Sequence, residues 1–400
     1  MSSAAFRVPN GSAAAETDRR AWLRSALARG AQAAPTDVTI AKVETFRMDD
    51  ALFVKVTASD GSVGWGETDA DNPPIMDAFI QNGLRQRVTG QSIWDAERLW
   101  DTMFYRQHDH GPGGALAGSI SGIDIACWDL RARLLGLSVS QLLGGRYRER
   151  IRAYGSFGVG FGRNMTVEQA VAQARTFIAQ GFTAVKLRMQ MRELNQDSPA
   201  DPVLTYARAV REAIGPQVDL LVDINNGYSA ARGIVMARRL REEFNILFLE
   251  EPVSDQTHAE TAAVVRAVDV PIIAGEKEYT RWQLRELIVM GQPDILNPDT
   301  IKAGGLTEMK KIAVIADTYG KPIICHNTRP TLGTAASLHF IAAIPNCGPL
   351  IEFVDVTRHR DLIGCMRRTV VFADGHLQVP TGPGLGVEVD ETAVRRRVVR

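Results

Sequence analysis

The chain has 400 residues, more than the roughly 100–200 of one ordinary domain. An apolar content of 45% and a charged content of 23% are those of a folded globular protein, and 46 basic against 46 acidic residues leave a formal charge of zero. That balance argues against a nucleic-acid binder, and no apolar run approaches the roughly 18 residues of a membrane span, so neither nucleic acid nor membrane is expected as a partner.

Residues 1–36 are rich in Ala, Ser and Arg and read as an extension, with a short helix near 18–28 that would suit contact with a neighbouring subunit. Arg19-Arg20 faintly resembles a twin-arginine export signal, but the stretch that follows holds Arg24 and Arg29 and has no continuous apolar core. Cys127, Cys325, Cys347 and Cys365 form no Cys-x-x-Cys pair and fit a reducing compartment, so a cytoplasmic protein is expected.

Residues 37–150 read as an α+β domain. Alternation over 38–46 and 52–57 predicts strands, and Asp60-Gly61 marks a hairpin turn before Val63-Gly-Trp-Gly-Glu67. Residues 74–141 are mainly helical, with Ile120, Ile123, Ala126, Cys127, Leu130 and Leu134 on one face of a helix over 119–135. From residue 151 the pattern changes to strands alternating with helices. Strands are predicted at 152–157, 183–187, 218–223, 247–250, 271–274, 294–297, 322–325 and 350–352. Helices are predicted between them, for example at 167–180, 202–214, 230–243 and 306–319, some stopped by Gly181 or Gly215. The fold class is therefore α/β: a modified (β/α)7β barrel over 151–355 with the N-terminal α+β domain as its cap. Residues 356–400 form a C-terminal segment with strand-like alternation over 370–389, expected to pack back on the capping domain.

Three acids end short apolar runs at nearly one interval: Leu-Leu-Val-Asp223, Phe-Leu-Glu250 and Ile-Ala-Gly-Glu276 stand 27 and 26 residues apart. That step is one strand plus one returning helix, so each acid belongs at the C-terminal end of its strand, where such barrels keep their chemistry. Three converging carboxylates need protons or a cation, and hard oxygen ligands favour Mg2+. Asp299, His326 and Glu352 continue the series at steps of 23, 27 and 26. Lys186 and Arg188, two apart on one strand, point the same way. Glu251 is expected to point away from Glu250, and Lys302 to be a structural ion-pair partner. His108-Asp109-His110 reads as a solvated turn before Gly111-Pro-Gly-Gly, with substrate contact as the alternative, and Glu67, Asp69 and Asp71 sit where a capping loop would cover the mouth.

The ordered set resembles the enolase superfamily, and most of all its mandelate-racemase branch, over residues 37–395. The resemblance is carried by Trp65-Gly-Glu67, Ala126-Cys-Trp-Asp-Leu130, Gln141-Leu-Leu-Gly-Gly145, Val222-Asp-Ile-Asn225, Leu249-Glu-Glu-Pro252, Gly275-Glu276, Pro298-Asp-Thr-Ile-Lys302, His326 and Pro383-Gly-Leu-Gly386. It implies Asp223, Glu250 and Glu276 as Mg2+ ligands and Asp299 with His326 as a base dyad. It also implies that Glu352 faces the developing enolate. On physical grounds a protonated Glu352 is expected to donate a hydrogen bond to its oxygen, and Lys186 to add positive charge beside the substrate carboxylate. Arg188, Asn225, Glu67 and His108 are the candidate substrate contacts, and a homo-oligomer is expected.

The muconate-lactonising branch places a lysine base where this chain has Asp299, which disfavours lactonisation. Racemases of the mandelate type often carry Lys-x-Lys on the second strand, but here the second position is Arg188, a guanidinium that stays protonated. One base with Mg2+ implies a dehydratase of a sugar acid, an aldonate or aldarate, giving a 2-keto-3-deoxy acid. The alternative is a racemase or epimerase of a 2-hydroxy acid with a second base not recognised.

Overall fold

The computed structural model describes residues 37–69, 72–158, 165–354 and 356–399. The helix expected near 18–28 lies outside them, as does Asp71. Strands β1 (Ile40–Arg47), β2 (Leu52–Ala58) and β3 (Val63–Thr68) form an antiparallel meander. Its inner face lies on the helix Gly114–Leu134. A Cβ on Gly64 or Gly66 of β3 would run into the carbonyl of Ala126 or Gly122, so glycine permits this close approach.

The single apolar face expected for that helix understates its burial. Ser119, Ser121, Asp124 and Asp129 are buried as well. The reason is a second neighbour, the barrel helix Gly305–Thr318. Asp124 accepts from the Thr307 amide at 2.9 Å and its hydroxyl at 2.5 Å, and Trp128 Nε1 donates to the same hydroxyl at 2.8 Å. Satisfied polar groups let this side bury without the desolvation penalty of unpaired ones.

Beyond the cap the chain alternates as predicted. Parallel ladders join β10 (Ile351–Val354), β4 (Arg150–Gly158), β5 (Ala184–Arg188), β6 (Asp219–Asp223), β7 (Leu249–Glu250), β8 (Ile272–Ala274) and β9 (Ile295–Leu296), in that order. The first and last barrel strands are thus neighbours. The strand predicted at 322–325 is reduced to isolated bridges, Leu296 with Ile323 and Asp299 with His326. Pro322 has no amide to donate, and on its other side the segment pairs with Asn346 and Gly348 rather than with β10. Ladder pairing is therefore not continuous between β9 and β10. The interior is filled nonetheless: Tyr154, Ala184, Leu221, Phe248, Ile273, Ile295, Ile324 and Leu350, one from each predicted strand, form one buried cluster.

The C-terminal segment does two things. Strand β11 (His376–Gln378) pairs antiparallel with the start of β4. Farther on, Leu385 donates its amide to Asp129 Oδ1 at 2.7 Å, while Trp65 of β3 donates to Asp129 Oδ2 at 2.9 Å. One buried carboxylate so joins cap strand, cap helix and C-terminus, and the return is to barrel and cap together. Among the described residues no helix is long and apolar enough to cross a membrane.

Candidate metal and acid–base site

Asp223 and Glu250 are the last residues of β6 and β7 and stand in register. Glu276 lies two residues past β8, where Gly275 turns the chain at φ +136°. Ligand-capable oxygens of the three acids lie within 4.8 Å of one another, all buried, and they form the one such cluster among the described residues. Burial pushes the Asp223 and Glu250 carboxyls up, and neighbouring acids push them further, against the pull of Lys186. Burial acts on Glu276 likewise, but His326, Lys277 and Lys302 outweigh it and hold it well below its ordinary value. Crowded, buried carboxylates with only oxygen donors fit a hard divalent cation, which would relieve their repulsion.

Lys186 on β5 seals the floor of this cluster. Its Nζ lies 2.8 Å from Glu250 Oε1, 2.9 Å from Glu352 Oε1 and 3.7 Å from Asp223 Oδ2. The Tyr154 ring centroid is 5.6 Å away. Burial alone would favour the neutral amine, but the carboxylates around it hold the ammonium pKa well above the ordinary value. Arg188, two residues on, is half-buried in register with Asp223, and its charge bears on that carboxylate.

His326 Nδ1 lies 2.6 Å from Asp299 Oδ2, so the pair expected from spacing is brought together. Nε2 faces the acid cluster, 3.0 Å from Glu276 Oε2. Burial would lower the imidazole pKa, but Glu276, Asp299 and Glu352 raise it to about 9.

The expectation that Glu352 is protonated and donates is corrected. Its Oε2 accepts from the Asn327 amide at 3.0 Å and its Oε1 meets the Lys186 ammonium. Burial favours the neutral acid, but Lys186 and His326 overcome it and hold the pKa below the ordinary value. The group is a carboxylate that accepts.

Asn225 sits at φ 50° beside Asp223, and its Nδ2 donates to both carboxylate oxygens, at 2.8 and 3.0 Å. Glu67 does not join the cluster. It is fully buried, bound to Thr331 and Gly333, and burial pushes its carboxyl up to about 7. His108 is exposed in a short 3-10 turn, its Nδ1 3.2 Å from the Tyr105 carbonyl. Asp69 is buried at the end of β3.

Sequence reasoning missed three contributors. Lys277 Nζ bridges Glu251 and Glu276, lying 3.0 Å from Glu276 Oε1, so Glu251 is drawn to the edge of the site by a shared cation. Asn297 Nδ2 donates to Glu250 Oε1 at 3.1 Å. Asn327 holds Glu352 through its amide. Lys277 and Asn327 adjoin Glu276 and His326, and Asn297 stands two residues before Asp299, so nearness in sequence was the available signal.

Comparison with known proteins agrees with this geometry. Residues 26–144 match the mandelate racemase / muconate lactonizing enzyme N-terminal domain, and residues 169–393 match the family described as enolase C-terminal domain-like. The chain is 31% identical over 350 residues to a D-galactarolactone cycloisomerase of Agrobacterium fabrum, covering 86% of this chain and 90% of that one. It is 30% identical over 365 residues to a D-galactonate dehydratase of Ralstonia pickettii, covering 90% and 94%. A mandelate racemase/muconate lactonizing protein from Paracoccus denitrificans, crystallised with magnesium, superposes with a TM-score of 0.84 at 33% identity, covering 90% and 98%. Cap, barrel and acid triad together with these matches make this chain a member of the enolase superfamily, in its mandelate racemase-like branch.

Proposed function

We propose that this protein is a Mg2+-dependent dehydratase of a sugar acid, an aldonate or aldarate. The observation that carries the reading is one histidine–aspartate dyad beside the acid triad, with a guanidinium rather than an amine at position 188. The name of the Ralstonia relative, a D-galactonate dehydratase, supports it.

Asp223, Glu250 and Glu276 would hold the cation. When bound, it lowers the cost of negative charge on the substrate carboxylate as C2 is deprotonated. Asp299 accepts from His326 Nδ1, so in the neutral imidazole Nε2 is the proton acceptor. His326 Nε2 takes the C2 proton, the C2–C3 double bond forms, and the C3–O bond breaks. The same imidazolium returns its proton to the leaving hydroxyl, which departs as water. The enol then ketonises to a 2-keto-3-deoxy acid. Arg188 is suited to a substrate hydroxyl or carboxylate, and Lys186 holds Glu250 and Glu352 in place.

A second reading, a cycloisomerase of a sugar-acid lactone, is favoured by the Agrobacterium relative. Incubation with a panel of acid sugars and their lactones, in the presence of semicarbazide, separates the readings by mass. Dehydration gives a trapped 2-keto acid that has lost one water from the substrate. Conversion with no change in mass, or equal C2 deuterium exchange into both epimers, rejects the dehydratase in favour of an isomerase.

A further inference from the structure

The end of β3 reaches both loops that carry the dyad. Glu67 Oε2 accepts hydrogen bonds from the Thr331 hydroxyl and the Gly333 amide, each at 2.8 Å. Those donors open the helix Leu332–Ala342, whose N-cap Thr331 makes no side-chain cap of its own. A carboxylate 264 positions away from Thr331 in sequence thus takes the place of the local cap, where an anion is favoured by the helix dipole.

From this helix start the hydrogen bonds lead back to the base. Thr334 gives its hydroxyl to the Arg329 carbonyl at 2.5 Å and accepts from Asn327 Nδ2 at 2.7 Å. Asn327 is the residue after His326. The second loop is held from the same strand end. The Asp69 amide donates to the Ile301 carbonyl at 3.2 Å, and the Ile301 amide donates to Asp299 Oδ1 at 2.9 Å. Two hydrogen-bonded paths therefore run from the cap, one to each half of the dyad.

We propose that Glu67 is a positioning residue, through which the docked capping sheet sets the loop 326–333 and hence the placement of His326 against Asp299. Glu67 acts on the dyad from a distance, through Thr331 and Gly333. The inference rests on the dyad's proposed role in proton transfer. Misplacing reacting groups by about 1 Å is enough to cost on the order of 100-fold in rate, so a remote anchor of this kind has a measurable kinetic weight.

The test is a cycle of Glu67→Gln, which keeps the shape and removes the charge, Thr331→Val, which removes one donor, and the double variant. Each single change is expected to lower kcat at least about tenfold while KM moves less than about threefold. The double variant is expected to lose no more than the larger single, because the Thr331 hydroxyl acts only through its contact with Glu67. Amide hydrogen exchange should quicken across 326–333 in Glu67→Gln. An unchanged kcat, a change in KM alone, or additive losses would overturn the proposal. If the wild type neither forms a keto acid nor exchanges C2–H with any acid sugar, the reaction assignment fails by itself. Hydrogen exchange then decides the positioning claim, and unchanged protection across 326–333 refutes it.

Discussion

Lys186 and Glu250 share a 2.8 Å hydrogen bond in the sealed floor of the barrel, a fixed cation against a candidate metal ligand. Lys186 also meets Glu352, so one ammonium neutralises parts of two strands. Replacing it with Met would leave buried carboxylates unpaired. Breaking a buried pair in this way costs about 3–5 kcal/mol. Lys186→Met is therefore expected to melt well below the wild type and to lose turnover, read by thermal denaturation and a keto-acid assay. A wild-type melting temperature would show that the pair contributes no net stability.

Glu250→Gln addresses the cation. Ligand that binds only the folded state stabilises it by about 2.7 kcal/mol at 100 times its Kd. Wild type is expected to melt higher with added MgCl2 and to lose activity in EDTA. The variant should show neither the thermal shift nor titration heat. Equal MgCl2 stabilisation of both proteins would remove Glu250 from the ligand set.

His326→Asn should lose dehydration and C2 deuterium exchange together, by about 10²–10⁴ in rate, since general acid–base groups contribute that much each. Asp299→Asn should lose less, because it orients the ring without receiving the proton. NMR of C2–H in D2O reads both. Exchange that persists in His326→Asn would assign proton abstraction to another residue.

Arg188→Lys exchanges a permanent cation for an amine able to accept a proton. It is expected to reduce dehydration and to open slow C2 exchange with inverted stereochemistry. Deuterium appearing only with retained configuration would count against position 188 as the opposite face of the site.

His339 gives a pH prediction outside the reacting cluster. It is buried, its Nδ1 accepts from the Ser140 amide at 3.2 Å, and burial lowers its pKa from 6.5 to about 4. The folded state binds this proton more weakly than the unfolded chain. Its contribution is thus fully present above about pH 6.5 and is lost as pH falls toward 4, at most about 3 kcal/mol in all. Urea unfolding of His339→Asn across this range should show a shallower acid loss than wild type. Parallel pH slopes for the two proteins would contradict the assignment.

The recurrence of acids at one strand–helix module was legible because a barrel repeats a local unit. Each repeat delivers a strand end to the same rim, so Asp223, Glu250, Glu276, Asp299 and His326 follow from counting. The alternation of β5 likewise put Lys186 and Arg188 on one side. These features depend on periods of two and of one module, which the order of residues carries by itself.

Tertiary packing decided the rest. Glu352 was read as a proton donor, but its charge state depends on Lys186 and His326, which reach it from other parts of the barrel. Glu67 was read at the mouth, yet its carboxylate lies on a helix start 264 positions from its own strand. The helix Gly114–Leu134 showed one apolar face, and a second neighbour buried its polar side too. The C-terminal segment was expected on the cap and also gives the strand His376–Gln378 to β4. In each case the outcome was set by desolvation and by partners far away in sequence, which periodicity does not encode. The positions of the chemical groups follow from the chain's local repeats, and their protonation and partners follow from what the folded protein packs around them.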